Sequence, residues 1–280
     1  MGTHGILDLD IGNSRLKARL SFSEGCVQHR VVEHGSNFPG QELNTFCGNA
    51  VGAIRVSNVA GDRMANALRH WARKFAHPDP VFAIVSRRCA GVETEYADLG
   101  SDRWLVMLGG FAVAGSTCCI VDVGTAATID LVTKNGLHAG GLVLPGLRAM
   151  ARSLVMETAG VRSLPRASFG APALHLERCV SAGALFAISG AVDRAVTWLR
   201  EREGDHPKVL VTGGDGPLIA AHIAGARYHQ DLVFSGIDVA MPLCAIAERQ
   251  ELKLYSLGDQ GPTAAGISMG DRECPSFPVS

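Results

Sequence analysis

The sequence predicts an α/β protein built from two related halves. Three observations carry that expectation. A run of three short strands joined by tight turns occurs near the start and again from residue 119, each time followed by helical periodicity. The loop that ends the first strand of each run has the same chemistry, Asp10-Ile11-Gly12-Asn13 and Asp122-Val123-Gly124-Thr125. The chain has 280 residues, enough for two domains, and 47% of them are apolar, enough for their cores.

In the first half, Ile6–Asp10 alternates as a strand and Gly12-Asn13-Ser14 is turn chemistry. Leu16–Phe22 reads as a second strand, and Cys26–Val32, after Glu24-Gly25, as a third. Val51–Val56 is a further strand. Met64, Leu68, Trp71 and Phe75 have helical spacing and predict a helix over Arg63–Phe75. Val81–Val85 returns as a strand, and Gly100-Ser101 opens a helix. The second half repeats the order, with strands at Cys119–Asp122, Ala127–Val132 and Leu137–Leu144. Asn135-Gly136 is a two-residue hairpin signal. Helices are expected over Leu147–Met156, Glu177–Arg200, Pro217–Ile223 and Val239–Arg249, with a short buried strand at Val209–Val211. Ser163–His175 has loop composition. Gly258–Ser280 lacks periodicity and is expected to be poorly ordered. The domains are accordingly placed at residues 1–115 and 116–257.

Bulk properties exclude some function classes. The net charge is -1 and no Lys/Arg-rich run occurs, so nothing marks a nucleic-acid or membrane-surface partner. No apolar run approaches the length of a membrane span, and Met1–Gly5 lacks the features of a signal peptide. The eight cysteines form no C-x-x-C pair and are scattered, which fits a reducing cytoplasm. Cys118 and Cys119 read as small buried hydrophobes.

Four segments could carry chemistry. In Asp10–Lys17, glycine lets successive backbone N–H groups approach an anion, and Asn13 and Ser14 add donors. An Asp beside a phosphate needs a cation between them. A plain hairpin turn is the competing reading. Asp122–Thr128 repeats Asp, Gly and hydroxyls at the matching place, again with a turn as the alternative. Thr212-Gly213-Gly214-Asp215 follows a strand and permits close backbone approach of a ligand, or is a strand-end turn with an Asp cap. In Gly100-Ser101-Asp102-Arg103-Trp104 an Asp beside an Arg can accept a proton from an alcohol, or form an exposed ion pair in a first helical turn. The P-loop, Rossmann, metalloprotease and nucleophile-elbow motifs are absent. The ten histidines read as surface or packing residues.

The ordered set DIGNSRLK (Asp10–Lys17), SNVAG (Ser57–Gly61), AGV (Ala90–Val92), LGSDRW (Leu99–Trp104), VDVGTAATIDLV (Val121–Val132), GGLVLPG (Gly140–Gly146), SAGAL (Ser181–Leu185), VTGGD (Val211–Asp215) and DLVFSGI (Asp231–Ile237) resembles type III pantothenate kinase, of the acetate/sugar kinase–Hsp70–actin superfamily. The resemblance implies a duplicated ribonuclease-H-like (actin-like ATPase) fold, two βββαβα-type domains with an interdomain cleft. It implies ATP-dependent phosphorylation of pantothenate to 4'-phosphopantothenate, the first step of coenzyme A biosynthesis. Mg2+ with ATP, a monovalent cation (K+ or NH4+) and a homodimer come with it. Residues matching the family's ATP site are Asp10, Ile11, Gly12, Asn13, Ser14, Arg15, Leu16, Lys17 and Thr125. Asp102 matches the general base, and Tyr96, Gly100, Ser101, Asp102 and Arg103 the pantothenate-binding residues. Asp122 matches the monovalent-cation ligand.

The sequence departs from the family in two places. The stretch Glu93–Asp98 is a few residues shorter than usual. His175-Leu176 stands where the family has Asn-Thr, so Leu176 occupies a substrate-binding position without a hydroxyl. Two other functions stay open: a kinase of this fold acting on a different alcohol, and a catalytically silent member acting as a regulatory or accessory binding protein.

Overall fold

The computed structural model describes residues 4–158, 160–161 and 172–243. The described chain divides into two compact units. One runs to Gly91 and takes up the chain again from Ile237; the other is Val92–Gly236.

The first unit contains β1 (Gly5–Ile11), β2 (Arg15–Ser21), β3 (Val27–Glu33), α1 (Gly40–Cys47), β4 (Val51–Asn58), α2 (Asp62–Lys74), β5 (Val81–Phe82) and β6 (Arg88–Cys89). Its sheet has the order β3-β2-β1-β4-β5. The first three strands are antiparallel, while β4 pairs in parallel with β1 and β5 with β4. Alternation along β1 sends Leu7, Leu9 and Ile11 into a core shared with Leu16, Ala18, Leu20, Ile54, Val56, Met64, Leu68 and Trp71. The same period of two puts Asp8 and Asp10 on the opposite face. The helix α1, absent from the sequence reading, buries only Leu43 and Cys47.

The second unit contains β7 (Val92–Glu93), α3 (Ser101–Ala114), β8 (Cys118–Val123), β9 (Ala126–Val132), β10 (His138–Pro145), α4 (Leu147–Glu157), α5 (Leu176–Glu203), β11 (Lys208–Thr212), α6 (Gly216–Ala220) and β12 (Arg227–Tyr228). Its sheet order is β10-β9-β8-β11-β12, with the same strand directions as the first. The two sheets are therefore one topology used twice. The division after Gly91 differs from the boundary expected after residue 115, because α3 packs on β8 and β9 and so groups with the second half. At 28 residues α5 is long and apolar enough to cross a membrane, unlike any run noted in the sequence. Its apolar residues Leu185, Ile188, Val192 and Leu199 instead fill the core over β8, β9 and β11.

Among the described residues the final named helix, α7 (Leu232–Ala240), carries the chain back to the first unit. It overlaps only the start of the helix expected over Val239–Arg249; the part of that expectation from residue 244, the tail from Gly258 and most of the Ser163–His175 loop lie outside the described residues. A polar cluster fixes the returning segment. Asp8 pairs on the ladder with Arg19 of β2 and Arg55 of β4. Arg55 Nε and Nη2 donate to the two Asp8 oxygens at 2.6 and 2.9 Å, and Arg19 Nη2 donates to Asp8 Oδ2 at 2.7 Å. Asp238 Oδ1 accepts from Arg19 Nη2 at 2.7 Å and from Arg55 Nη2 at 2.6 Å. Arg55 Nη1 donates to the Met241 carbonyl at 3.0 Å.

Candidate active site

In the first unit the chemistry gathers where β1 ends. Asp10 is buried, and Lys17, its partner across the β1–β2 ladder, brings Nζ to 3.4 Å from Asp10 Oδ2. Its other oxygen, Oδ1, has no hydrogen-bond partner among the described residues. Ser57 stands beside it on β4, on the same face, and the fully buried Ser57 Oγ is likewise unpartnered. Leaving two such atoms dry costs roughly 1–3 kcal/mol each, a cost that a ligand bound there would offset. The turn is closed by Gly12 N–H donating to the Arg15 carbonyl at 3.0 Å, and leaves Asn13 and Ser14 exposed. Arg15 Nη2 lies 3.4 Å from Glu33 Oε1. Ile11 and Leu16 are fully buried in the core, so only their backbone can serve a ligand.

In the second unit Asp122 holds the matching place, next to last in β8, paired with Thr128 of β9 and Thr212 of β11. The Gly213 backbone closes on it. A Cβ there would collide with Asp122 Oδ1 and the Val123 backbone, and Gly213 has φ +92°, which only glycine adopts at little cost. Thr125 is exposed in the β8–β9 turn, and its carbonyl accepts from Gly146 N–H at 3.0 Å.

The other half of the chemistry sits at the start of α3. Gly100, in extended backbone, caps the helix, and Trp104 N–H donates to its carbonyl at 2.9 Å. Gly100, Ser101, Asp102 and Arg103 are all half-buried. Asp102 Oδ1 accepts from the Arg103 backbone N–H at 2.6 Å. The side chain of Arg103 does not join Asp102 in the ion pair that their adjacency suggested. Its Nε donates to both oxygens of buried Asp130, at 3.1 and 2.8 Å. The guanidinium carbon lies 5.3 Å from the centre of the Tyr96 ring, so the shortened segment still delivers Tyr96 beside Arg103. Burial disfavours the guanidinium charge, but Asp130 and Tyr96 outweigh it and raise the Arg103 pKa above its usual value. Leu176 is the first residue of α5 and is half exposed.

Sequence reasoning missed Ser57, Asp130 and His138. His138 is no packing residue: its Nε2 is 3.0 Å from Asp130 Oδ1 and its Nδ1 is 2.9 Å from Thr94 Oγ1. The available signal was Asp130 itself, an acid between Ile129 and Leu131 in an apolar strand, which has to find partners.

The two half-sites suit different tasks. A glycine turn beside a carboxylate with an unpartnered oxygen fits a phosphate chain with its hydrated divalent cation. Among the described residues no three His, Cys, Asp or Glu side chains gather into a metal site. A helix-start carboxylate beside a fixed guanidinium fits an alcohol carrying an anionic group.

Comparison with known proteins agrees with this chemistry. The type III pantothenate kinase family profile matches residues 6–197. A type III pantothenate kinase of Pseudomonas fluorescens is 32% identical over 247 residues, covering 85% of this chain and 99% of the relative. One of Pseudomonas putida is 34% identical over 252 residues at the same coverage. Among solved structures, a conserved putative Baf family transcriptional activator from Campylobacter jejuni aligns with TM-score 0.57 and 22% identity, covering 88% of this chain and 99% of that one. A putative 2-dehydro-3-deoxygalactonokinase from Sinorhizobium meliloti aligns with TM-score 0.51 and 14% identity, covering 85% and 99%. At those identities the structures speak for the fold alone, and with the repeated strand order they identify it as the duplicated ribonuclease-H-like fold. The profile match and the near-complete coverage of relatives above 30% identity go further, and on them the chain belongs to the type III pantothenate kinase family.

Proposed function

We propose that the protein transfers the γ-phosphoryl group of ATP to pantothenate, giving 4'-phosphopantothenate and ADP, the first step of coenzyme A biosynthesis. The observation that carries the reading is the Asp102–Arg103 pair at the start of α3, with Arg103 fixed by Asp130, in a chain of this family.

Phosphoryl transfer asks little covalent work of the protein; it asks for positioning and charge neutralisation. The Asp102 carboxylate accepts the proton of the pantothenate hydroxyl as its oxygen bonds to the γ-phosphorus. The bond from that phosphorus to the β–γ bridging oxygen breaks, and ADP leaves with the electron pair. Arg103 and Tyr96 bind the acceptor. Backbone N–H groups of the Asp10–Lys17 turn, with Thr125, hold phosphate, and Lys17 adds positive charge. Asp10 Oδ1, with Ser57 Oγ, would hold the hydrated Mg2+ of the nucleotide, and Asp122, against Gly213, the K+ or NH4+ ion. Bound there, the cations would offset the repulsion between phosphate and carboxylate. The reading includes a homodimer and a cytoplasmic location; the described cysteines are free thiols, as a reducing compartment allows.

The test is ATP turnover with pantothenate, with and without K+. Pantothenate-dependent turnover that collapses without K+ and is abolished in Asp102→Asn supports the reading. Near-normal turnover in Asp102→Asn overturns the base assignment. Leu176 favours one second reading, a different alcohol acceptor: a lost hydrogen bond to a charged group costs roughly 1.5–3 kcal/mol. Turnover with another alcohol and none with pantothenate would establish it, and nucleotide binding without turnover would indicate an accessory binding protein.

A further inference from the structure

Behind Arg103 the second unit builds a closed circuit of polar contacts, in which His138 and Thr94 have no part in the steps above. Asp130 of β9 and His138 of β10 are both buried, with side chains 4% and 2% exposed. A carboxylate only accepts, so the His138 Nε2 that faces Asp130 Oδ1 at 3.0 Å carries the proton. In the neutral ring Nδ1 is then an acceptor, and Thr94 Oγ1 lies 2.9 Å from it. The Thr94 hydroxyl is free to donate there, since its oxygen already accepts the Tyr96 backbone N–H at 3.2 Å. The Tyr96 ring closes the circuit under the Arg103 guanidinium. The floor is Gly141, paired with Asp130 on the β9–β10 ladder, where a Cβ would collide with Arg103 Nη2 and Asp130 Oδ1.

We infer that Asp130, oriented by His138 and Thr94, is the positioning residue of the acceptor half-site. It takes the Nε edge of Arg103 and so fixes the plane of the guanidinium, aiming the Nη donors and the Tyr96 face at the anionic end of an alcohol whose hydroxyl meets Asp102. The inference rests on the proposed kinase reading. A planar fork held by a second carboxylate loses little freedom when the ligand arrives, whereas an unheld arginine must be ordered at that moment. Asp130 touches no substrate; it acts through Arg103.

The test pairs a kinetic readout with one that needs no substrate. In Asp130→Asn, KM for pantothenate rises about tenfold to a hundredfold, the range that misplacement of a positioning group produces, while KM for ATP stays within about twofold. Gly141→Ala, which pushes the same pair apart from the other side, gives the same split. In an Arg103→Lys background, which lacks Nε, Asp130→Asn costs about twofold or less. Independently, proton exchange at the 15N-labelled Arg103 Nε–H is slow in the unmodified protein and fast in Asp130→Asn. Thr94→Val, which removes one hydroxyl at the far end of the circuit, gives a smaller change of the same kind should Asp130→Asn fail to fold. Additive losses in the double variant, equal effects on both substrates, or unchanged Nε exchange would overturn the inference. If the unmodified protein does not use pantothenate, the functional reading falls, and Nε exchange still decides whether Asp130 fixes Arg103.

Discussion

Asp10 and Asp122 stand on matching rungs of two sheets that share one strand order, and each is paired in parallel with a hydroxyl residue, Ser57 and Thr212. The copies differ in how those hydroxyls are used. Thr212 Oγ1 donates to the Gln230 carbonyl at 3.3 Å, whereas Ser57 Oγ and Asp10 Oδ1 have no partner among the described residues. Among the described residues, the first copy leaves two buried polar atoms on this rung without a partner. Asp10→Asn is expected to weaken binding of Mn2+ with ADP at least about tenfold, the loss of one contact to a charge. Ser57→Ala should weaken it a few-fold and leave the unliganded protein as stable or slightly more so. Electron paramagnetic resonance titration of Mn2+ and thermal unfolding would check both.

Gly213 holds its φ of +92° against the Asp122 carboxylate. Gly213→Ala should cost on the order of 1–2 kcal/mol from the left-handed backbone alone. It should also displace Asp122. The expected signature is a raised K+ concentration for half-maximal activity, with KM for pantothenate little changed, measured by titrating K+ into a K+-free assay.

Asp8 is fully buried between Arg19 and Arg55. Asp8→Asn leaves the buried Arg55 guanidinium and the partly buried Arg19 guanidinium short of a counter-charge, and breaking such a cluster costs about 3–5 kcal/mol. Asp238→Asn, at the exposed edge, should cost much less. Urea unfolding of the two variants would show the ranking, and equal losses would contradict it.

Burial pushes the Cys47 thiol up to about 11 and Cys118 to about 12, with Cys119 higher still through burial and the neighbouring Cys118 and Asp130. A folded-state pKa raised above the unfolded one stabilises the fold fully below the unfolded value near 9, and that contribution is lost as pH rises towards the folded value. The melting temperature should therefore fall progressively above about pH 9. At neutral pH a thiol reagent should label the exposed Cys26 and Cys179 and spare Cys47, Cys89, Cys118 and Cys119 until the protein unfolds. Mass spectrometry of the labelled chain reads this directly.

Much of the fold was legible because half of each sheet is a plain core face. Leu7, Leu9 and Ile11 alternate with Asp8 and Asp10, and that period alone sets β1 and its register. The elements that escaped lack such a pattern. Over α1 only Leu43 and Cys47 are buried, too few to set a period, and Leu232-Val233-Phe234 at the start of α7 is apolar without a polar face to contrast with. The site divides in the same way. The Asp-x-Gly loops are contiguous, so the sequence displays them. The partner of Arg103 lies 27 residues away on another strand, and adjacency pointed wrongly to Asp102. His138 looked idle because its partners, Thr94 and Asp130, lie 44 and 8 residues away in the chain.

The return of α7 to the first unit has a consequence for biosynthesis. Chains leave the ribosome from the N-terminus, and early segments begin to fold as they emerge. The β1 ladder can assemble once β4 is made, yet its Asp8–Arg19–Arg55 cluster then carries two cations against a single anion. Asp238 supplies the missing negative charge, and the Met241 carbonyl one more acceptor. The strand that leads into the Asp10–Lys17 turn thus gains this second carboxylate only once Asp238 has been translated, so nascent chains interrupted before that point would hold the turn on a sheet without those ion pairs.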